Sequence, residues 1–547
     1  MRGRFLPTVM LALTTASCFT SGAGGPASGG ECRCDEPIPS LDEGGASEAA
    51  PRAGGTIAIR IPSEPGTLLS MLTTDPIAAQ IADHDVLEAL VTSDPASGAP
   101  SPELAESWTE DEVTGRYIFY LDRAATWHDG TRVTSADVEF TFERLLDPAG
   151  GAVLRKAFLD VDTVVALDDH TVQITLDRGR RDFVSSLAAL PILPAHAFGA
   201  DLLAGHPVAR APLGSGPFRF STWRPGRSIE LERNPGWRGE PPPIERLVYR
   251  VVPDQRVAVD LFRGGALDIV PDSESVEMPT VEGGRVIAYP LPRFEAWVYN
   301  LRTPLFNDRR VRLAIGHLID RAAIRCSILD CLADPIEHPF PAAPGQVIPI
   351  APQQFDPARA RELLERAGWT DSDGDGVRDR DGTRLSFTML LPDAGRALKR
   401  SATMVQHDMA RSGVEMRVRS ISWSEYTGRL RDHRFEVSLI TFPNPPPFDP
   451  RPIFHSTAAA DGRNFGVFSD PRTDELLDEW AAARTGEERQ RLDGELANRL
   501  REAYPVTFTF RPYRSVLVRD SIRGIAVRGA WIEERGLWLA RPAGGSR

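Results

Sequence analysis

An acidic run that begins at Asp371 of this 547-residue sequence is the clearest candidate for metal chemistry. Its aspartates match ligand positions of a calcium-binding loop, and they are Asp371, Asp373, Asp375 and Asp379. The position that needs a bidentate glutamate is occupied by Gly382, so two ligand oxygens are missing. A turn between a helix and a strand explains the run better. We therefore predict no metal site, with these four aspartates as the alternative.

Motifs of catalytic sites are missing from the sequence. It contains no G-x-S-x-G elbow, no H-E-x-x-H helix, no Walker A loop and no dinucleotide-binding G-x-G-x-x-G turn. The ten histidines are scattered, and His128 lies in a turn before a helix, where a structural role is the simpler interpretation. We predict a protein that is not an enzyme and that carries no cofactor.

The composition is that of a folded protein with several domains. Hydrophobic residues make up 41% of the chain and charged residues 25%, which are globular values. A length of 547 residues exceeds what one compact core accommodates. The net charge of −13 argues against a broad basic surface, so we predict no nucleic-acid partner.

Strand and helix patterns alternate along the chain after residue 54. Residues 55–61 alternate as a strand does, and residues 171–177 form a second strand after the polar turn 168–170. Asp308 begins a helix whose apolar stripe runs to Ala322, and Thr134 and Asp356 begin two others. We interpret these stripes as core packing, and likewise Trp423 and Tyr426 at the start of another helix. The mixed order predicts an α/β or α+β protein of several lobes.

The amino terminus has the pattern of an export signal. Residues 1–18 combine two arginines, a short apolar run and small residues ahead of Cys18, which resembles a bacterial lipobox. Thr15 stands where that pattern prefers leucine. We predict lipidation of Cys18, with ordinary cleavage nearby as the alternative. Residues 19–53 are poor in large apolar side chains and are predicted to be a flexible linker. No later run is long enough for a transmembrane helix.

The number of cysteines is consistent with a protein that forms disulfides in an oxidising compartment. If Cys18 is lipidated, four remain, which are Cys32, Cys34, Cys326 and Cys331. Cys326 and Cys331 span a short loop and could close a disulfide, whereas Cys32 and Cys34 would form a tight, strained pair. Disulfides or free thiols are favoured over a metal site, because no histidine accompanies either pair.

Several segments, taken in order, resemble the extracytoplasmic solute-binding proteins of family 5, the peptide- and nickel-binding receptors of ABC importers. The resemblance covers roughly residues 54–539, and its most specific segments are 104–108, 117–121, 127–131, 134–138, 213–218, 231–235 and 306–312. It implies a type II periplasmic-binding-protein clamshell, an α/β fold of two lobes with an extra subdomain, so three domains. We expect residues 54–95, 205–300 and 506–547 in the first lobe, 96–204 in the subdomain, and 301–505 in the second lobe.

The resemblance also implies where the ligand lies. Peptide-binding members hold the ligand amine with an aspartate, and Pro446 occupies that place here, although Asp449 could act instead. An ordinary free peptide is therefore not the only candidate, and sugars, nickel chelates, haem and modified peptides stay open. We predict that the ligand contacts eight residues: Glu64, Trp297, Asn300, Phe442, Asn444, Phe448, Asp449 and Trp531.

As a function, the resemblance implies the substrate-binding component of an ABC importer. It would be a monomer held at the cell envelope or in the periplasm by its lipid, and it would deliver an oligopeptide or similar small solute to a membrane permease. The alternatives are a sensing or scavenging module without its own permease, and a nickel, haem or sugar receptor.

Overall fold

The computed structural model describes residues 34, 51–52, 54–83, 85–94, 98–111, 113–177, 179–180, 182–198, 205–272, 278–341, 348–393, 395–445, 448–460, 462–483, 485–528 and 530–540. The predicted export signal and Cys18 lie outside these residues. In the part of the chain that is described, no helix is both long enough and apolar enough to cross a bilayer.

The largest sheet forms the first lobe and draws its strands from distant parts of the chain. In neighbour order they are Gly284–Pro290, Phe510–Arg519, Ile269–Pro271, Thr56–Ile61, Arg246–Val251, Ser228–Arg233 and Phe218–Arg224. Ile57, Ile59 and Ile61 face the main core, because alternate side chains of a strand point to opposite faces. Ala58 faces a smaller core on the other side. The central strand is therefore buried on both faces.

The second lobe is built on a five-stranded sheet. Its strands, in neighbour order, are Glu415–Ile421, Ser386–Pro392, Val437–Pro443, Arg293–Tyr299 and Val506–Phe508. Separate apolar cores cover its two faces, one around Trp297 and Val437 and one around Phe294 and Phe442. Because Arg293–Tyr299 and Val506–Phe508 pair within this sheet, the second lobe begins before residue 301 and ends after residue 505, which corrects the expected boundaries.

The extra subdomain packs a helix on a four-stranded sheet. The strands are Ala105–Asp111, Arg116–Leu121, Thr171–Leu176 and Val161–Asp168 in neighbour order. The strand predicted after the polar turn 168–170 is confirmed, and it pairs antiparallel with the strand before that turn. The helix Ser135–Leu146 begins with a capping box, in which the Asp137 carboxylate accepts from the Thr134 backbone N–H at 2.9 Å. Remaining short pairs are Pro51–Arg52 and Ile522–Arg523 with Trp538–Ala540, Asp379–Arg380 with Thr383–Arg384, Ala526–Arg528 with Trp531–Glu533, Val91–Ser93 with Pro100–Pro102, and Ala333–Pro335 with Phe510–Arg519.

Several of the other helices begin at side-chain caps. Asp356 accepts from the backbone N–H of Arg359 and starts Pro357–Arg366, as predicted. The stripe after Asp308 is broken into Arg309–His317 and Arg321–Ser327, because Asp320 caps a new helix. The remaining α-helices are Pro76–Ala82, Phe183–Ser186, Ala195–Phe198, Gln255–Arg263, Pro304–Asn307, Arg396–Ala410, Trp423–Arg431, Arg451–Phe454, Pro471–Ala482 and Gly486–Ala503.

The cysteine pairing differs from the one expected. Cys331 forms a disulfide with Cys34, with a Cα–Cα distance of 5.7 Å, and Cys326 is disulfide-bonded as well. The predicted Cys326–Cys331 loop is therefore wrong, because the second lobe brings Cys331 beside a distant segment. Among its described residues, the segment 19–53, expected to be a flexible linker, is attached at Cys34 and at Pro51–Arg52, which pairs with Trp538–Ala540.

A buried ionic cluster joins the separate segments of the first lobe. Arg238 donates to both oxygens of Glu88 at 2.8 and 2.9 Å and to Asp122 at 2.8 Å, and the Glu88 side chain is fully buried. Arg535 lies 3.3 Å from Glu103. These contacts connect the beginning, the subdomain, the middle and the end of the chain. The lobe is therefore held together by charge pairs as well as by apolar packing.

One member of this region, Glu534, makes stability depend on pH. Burial raises the pKa of Glu534 well above its usual value, and the Asp85 carboxylate raises it further. The unfolded chain releases this proton at the ordinary pKa, so the contribution to stability is complete below about pH 4.5 and is lost as pH rises through the folded pKa. Glu534→Gln, which can still accept from Tyr249, is expected to raise the free energy of unfolding at pH 8 and to change it little at pH 4.

Urea unfolding at the two pH values measures this effect. The exposed Glu139→Gln on the helix Ser135–Leu146 is the matched control, and it should change stability equally little at both pH values. A gain for Glu534→Gln that is equal at pH 4 and pH 8 would contradict the raised pKa.

Candidate functional site

A cavity of about 570 Å³ lies on the second lobe, next to the strands that connect the two lobes. Its described lining residues all fall between Arg293 and Pro512. One wall is the sheet, and the facing wall is the helix Arg396–Ala410 together with the segment from Ile319 to Ala333. The volume lies within the range of small-molecule sites. We call this cavity the hinge pocket.

The strand Arg293–Tyr299 supplies the floor of the hinge pocket. Its sequence alternates, so that Phe294 packs into one core while Arg293, Glu295 and Trp297 share the opposite face. Across the strand pair, Glu295 is opposite Thr441 and Trp297 is opposite Leu439, and both partners also line the pocket. The sheet therefore presents two charges, a hydroxyl and an aromatic ring to one cavity.

Both charges on this strand are held without a hydrogen-bonding partner. Among the described residues, no group donates to the Glu295 carboxylate, and the Nε of Arg293 is buried without an acceptor. Burial raises the pKa of Glu295 and lowers the pKa of Arg293, while their mutual attraction opposes both shifts. Charged groups left half-buried in this way are typical of a site completed by a ligand.

Trp423 lies at the hinge pocket and not in the core, where it was predicted. Its side chain is 66% exposed, lines the hinge pocket, and has its ring centroid 5.7 Å from that of Tyr426. The prediction of core packing is confirmed for Tyr426, which is buried, and is wrong for Trp423. Trp423 is the first residue of its helix, where a side chain can project past the helix end. An exposed tryptophan at a pocket is available for stacking on a ligand.

Of the predicted ligand contacts, Trp297 lines the hinge pocket. Its side chain is nearly buried, so it offers only part of its ring to the cavity. The side-chain amide of Asn300 is already hydrogen-bonded to the backbone, since it donates at 2.8 Å to the carbonyls of His433 and Phe435. Phe442 faces the opposite core and stacks on Phe294 with centroids 5.3 Å apart. Asn300 and Phe442 therefore have structural roles.

Three other predicted contacts lie around a second, more open cavity of about 760 Å³ or beside it. Phe448 and Asp449 line that cavity, and the Asp449 carboxylate accepts from Arg451 at 2.7 and 3.0 Å. Asn444 is buried and donates to the carbonyl of Pro339 at 2.8 Å, while its Oδ1 has no partner. Pro446 lies outside the described residues. Asp449 already has a counter-charge, which makes it a weaker anchor for an amine than Glu295.

The remaining candidates lie on the first lobe. Glu64 accepts from the indole N–H of Trp223 at 2.5 Å and from the backbone N–H of Gly226 at 2.9 Å. These hydrogen bonds give Glu64 a structural role in holding the loop at Gly226. Trp531 begins a short strand that pairs with Ala526–Arg528. Glu64 is not among the residues that line the hinge pocket, and the side chain of Trp531 lies outside the described part of the structure.

The acidic run forms a compact, exposed turn. Asp371 accepts from the backbone N–H groups of Gly374 and Gly376, and Asp379 accepts from Ser372. Arg384 forms an ion pair with Asp375. Oxygens of Asp371, Asp373 and Asp375 lie within 4.8 Å of one another. Backbone N–H groups of the loop thus donate to several of the carboxylate oxygens that a metal ion would need. The segment forms the turn that the sequence predicts.

Comparison with known proteins gives consistent matches over most of the chain. The sequence profile of bacterial extracellular solute-binding proteins, family 5 Middle, matches residues 99–464. The oligopeptide-binding protein AppA of Bacillus subtilis is 25% identical over 495 residues, which cover 87% of this chain and 90% of AppA.

Solved structures agree with the sequence matches. AppA of Bacillus subtilis in complex with a nonapeptide superposes with a TM-score of 0.71 at 22% identity, covering 90% of this chain and 100% of that one. NikA of Brucella suis in complex with Fe(III)-EDTA superposes with a TM-score of 0.78 at 20% identity, covering 89% and 100%. These likenesses confirm the two-lobed type II clamshell that the sequence predicts.

Proposed function

Because the chain belongs to the bacterial extracellular solute-binding proteins of family 5, we propose that it is the substrate-binding component of an ABC importer and captures a peptide in the hinge pocket. The family consists of binding proteins that work outside the cytoplasm, and the prediction that the chain is not an enzyme is confirmed. The observation that carries the proposal is the hinge pocket itself, in which charges without hydrogen-bond partners among the described residues meet apolar walls, on the second lobe next to the strands that connect the two lobes.

The two-lobed architecture explains how such a protein works without chemistry. A ligand that touches both lobes binds the closed arrangement better than the open one and shifts the population toward closure. The closed form is then the one that a permease recognises. Lipidation of Cys18, anchoring at the cell envelope, a monomeric state and a dedicated permease belong to this proposal.

Peptide is the ligand class that the relatives favour. AppA of Bacillus subtilis is named for oligopeptide binding, and it spans nearly the same length as this chain. Of the eight predicted contacts, we retain Trp297 as a pocket residue and add Arg293, Glu295, Thr441 and Trp423. Nickel chelates, haem and sugars are the alternative ligand classes, and binding of one of them in place of peptides would change the assignment.

Native mass spectrometry of the purified protein tests the ligand class, supported by thermal unfolding with peptides of two to six residues, nickel–histidine, haem and sugars. We expect peptides to raise the melting temperature, since a ligand at 100 times its Kd adds about 2.7 kcal/mol to stability. A shift with one of the other classes alone would overturn the peptide assignment. Binding of none of them would overturn the receptor function.

Trp423→Ala is expected to weaken peptide binding about 3- to 10-fold, because an aromatic contact contributes about 0.5–1.5 kcal/mol beyond its buried area. Stability should change little, since the side chain is mostly exposed. Fluorescence titration of both proteins measures the affinity, and part of the ligand-induced change should disappear with the indole. Trp108→Phe, in the subdomain, is the matched control and should leave the affinity unchanged. Unchanged binding by Trp423→Ala would remove this residue from the site.

A further inference from the structure

We infer that Glu295 and Arg293 are the polar recognition pair of the hinge pocket, and that the pocket takes a short peptide with a free ammonium group and apolar side chains. This inference rests on the proposed function and names the part of the ligand that each wall binds. It assigns the anchoring of the amine to Glu295 on a strand of the second lobe.

The two charges stand in a geometry that suits a ligand carrying both signs. Residues two apart on a strand project from the same face about 6.6 Å apart along it. Glu295 and Arg293 do so into one cavity, and Thr441 and Thr509 border them with further polar groups. A carboxylate accepts from an ammonium group, and a guanidinium donates to carboxylate or carbonyl oxygens. One short peptide can therefore satisfy both.

Glu295 is the best candidate to bind the ligand's ammonium group, because the neighbouring charged side chains already form ion pairs. Lys399, at the same pocket, is 2.5 Å from Asp393, so its charge is already matched. Asp449 on the second cavity is matched by Arg451. Among the described lining residues of the hinge pocket, Glu295 is the only carboxylate. A ligand ammonium would replace the hydration that burial removes from this group.

The apolar residues that line the rest of the hinge pocket indicate which ligand side chains it accepts. Apolar residues face the two charges from the helices Arg396–Ala410 and Arg321–Ser327 and from the segments on either side of the second helix. They are Ile319, Ile324, Leu329, Leu332, Leu398 and Val405. Such a wall favours leucine, isoleucine, valine or methionine side chains and disfavours charged ones, since a charge buried there would lose its hydration without gaining a partner. The cavity of about 570 Å³ is of a size for a short peptide.

Isothermal titration with tripeptides of leucine, isoleucine, valine and methionine tests the inference, each peptide being used with a free and with an acetylated amino terminus. The protein should bind the free peptides about 10- to 100-fold more tightly than the acetylated ones, because a charge-assisted hydrogen bond is lost on acetylation. Glu295→Gln should remove this difference. Arg293→Met should weaken binding of the free acid and leave binding of the carboxyl-terminal amide nearly unchanged.

Glu487→Gln, an exposed substitution on the helix Gly486–Ala503 away from the pocket, is the matched control and should bind as the original protein does. If the peptides bind but Glu295→Gln keeps the full preference for the free amine, the inference is overturned and the proposed function stands. If acetylated and free peptides bind equally well to the unaltered protein, the inference is likewise wrong. Failure of every peptide to bind would overturn the proposed function itself.

Discussion

Arg238→Met is expected to destabilise the first lobe by about 3–5 kcal/mol, the usual cost of leaving one member of a buried ion pair alone. Arg238 is the bidentate partner of the fully buried Glu88 and also bonds Asp122 and the carbonyl of Glu103. Methionine fills much of the space but donates no hydrogen bond. The loss should be larger at pH 8 than at pH 5, because at lower pH the abandoned Glu88 can take up a proton. Urea unfolding measures the difference.

The double variant Arg238→Met/Glu88→Gln is the matched control for this prediction. Removing both charges avoids an isolated buried carboxylate, so part of the lost stability should return. An additive loss in the double variant would mean that the pair contributes through packing alone. A loss below about 1 kcal/mol in Arg238→Met would place the pair among surface-like ion pairs.

The second large effect concerns the disulfide between Cys34 in the amino-terminal segment and Cys331 in the second lobe. In the unfolded chain the Cys34–Cys331 bond closes a loop with a sequence separation of 297. In the folded protein only residues 35–50 separate Cys34 from the strand Pro51–Arg52, so far less freedom is gained there when the bond is removed. From the ratio of these lengths, loop-closure entropy gives a stabilisation of about 2.5 kcal/mol.

Cys326→Ser/Cys331→Ser, which removes both disulfide partners on the second lobe, should therefore lower the free energy of unfolding by about that amount. A reducing agent should destabilise the original protein to the same extent and leave the double variant unaffected. Equal sensitivity of both proteins to the reducing agent would show that these bonds do not provide the stabilisation.

The parts of the fold that could be predicted from the sequence depend on neighbours along the chain. Thr134 with Asp137 and Asp356 with Pro357 announce helix starts within a few residues, and the structure has helices there. The apolar stripe after Asp308 could not reveal its own interruption, because periodicity continues through the cap at Asp320. Local patterns thus fix the type of an element better than its ends.

Contacts between distant segments could not be predicted from the sequence. Arg238 and Glu88 are 150 positions apart, and no spacing rule connects them. The pairing of Cys331 with Cys34 is one of several connectivities that the cysteines allow, and only the packed second lobe selects it. Both findings depend on which surfaces meet after folding.

The strand that forms the floor of the hinge pocket has a regular alternating sequence pattern. Residues 293–299 read Arg-Phe-Glu-Ala-Trp-Val-Tyr, and a period of two places Arg293, Glu295 and Trp297 on one face. Of these three residues, Trp297 alone was predicted to contact the ligand. Exposure of Trp423 had no comparable signal, since a tryptophan at a helix start can point either into a core or past it.

Hydrogen–deuterium exchange with and without the apolar tripeptides tests the central claim most directly, because it locates the ligand on the unaltered protein. We expect protection along Arg293–Tyr299, Val437–Pro443 and Arg396–Ala410, the three elements that enclose the hinge pocket. Protection confined to residues around Phe448 and Pro452, at the second cavity, would place the ligand elsewhere and contradict the site proposed for this protein.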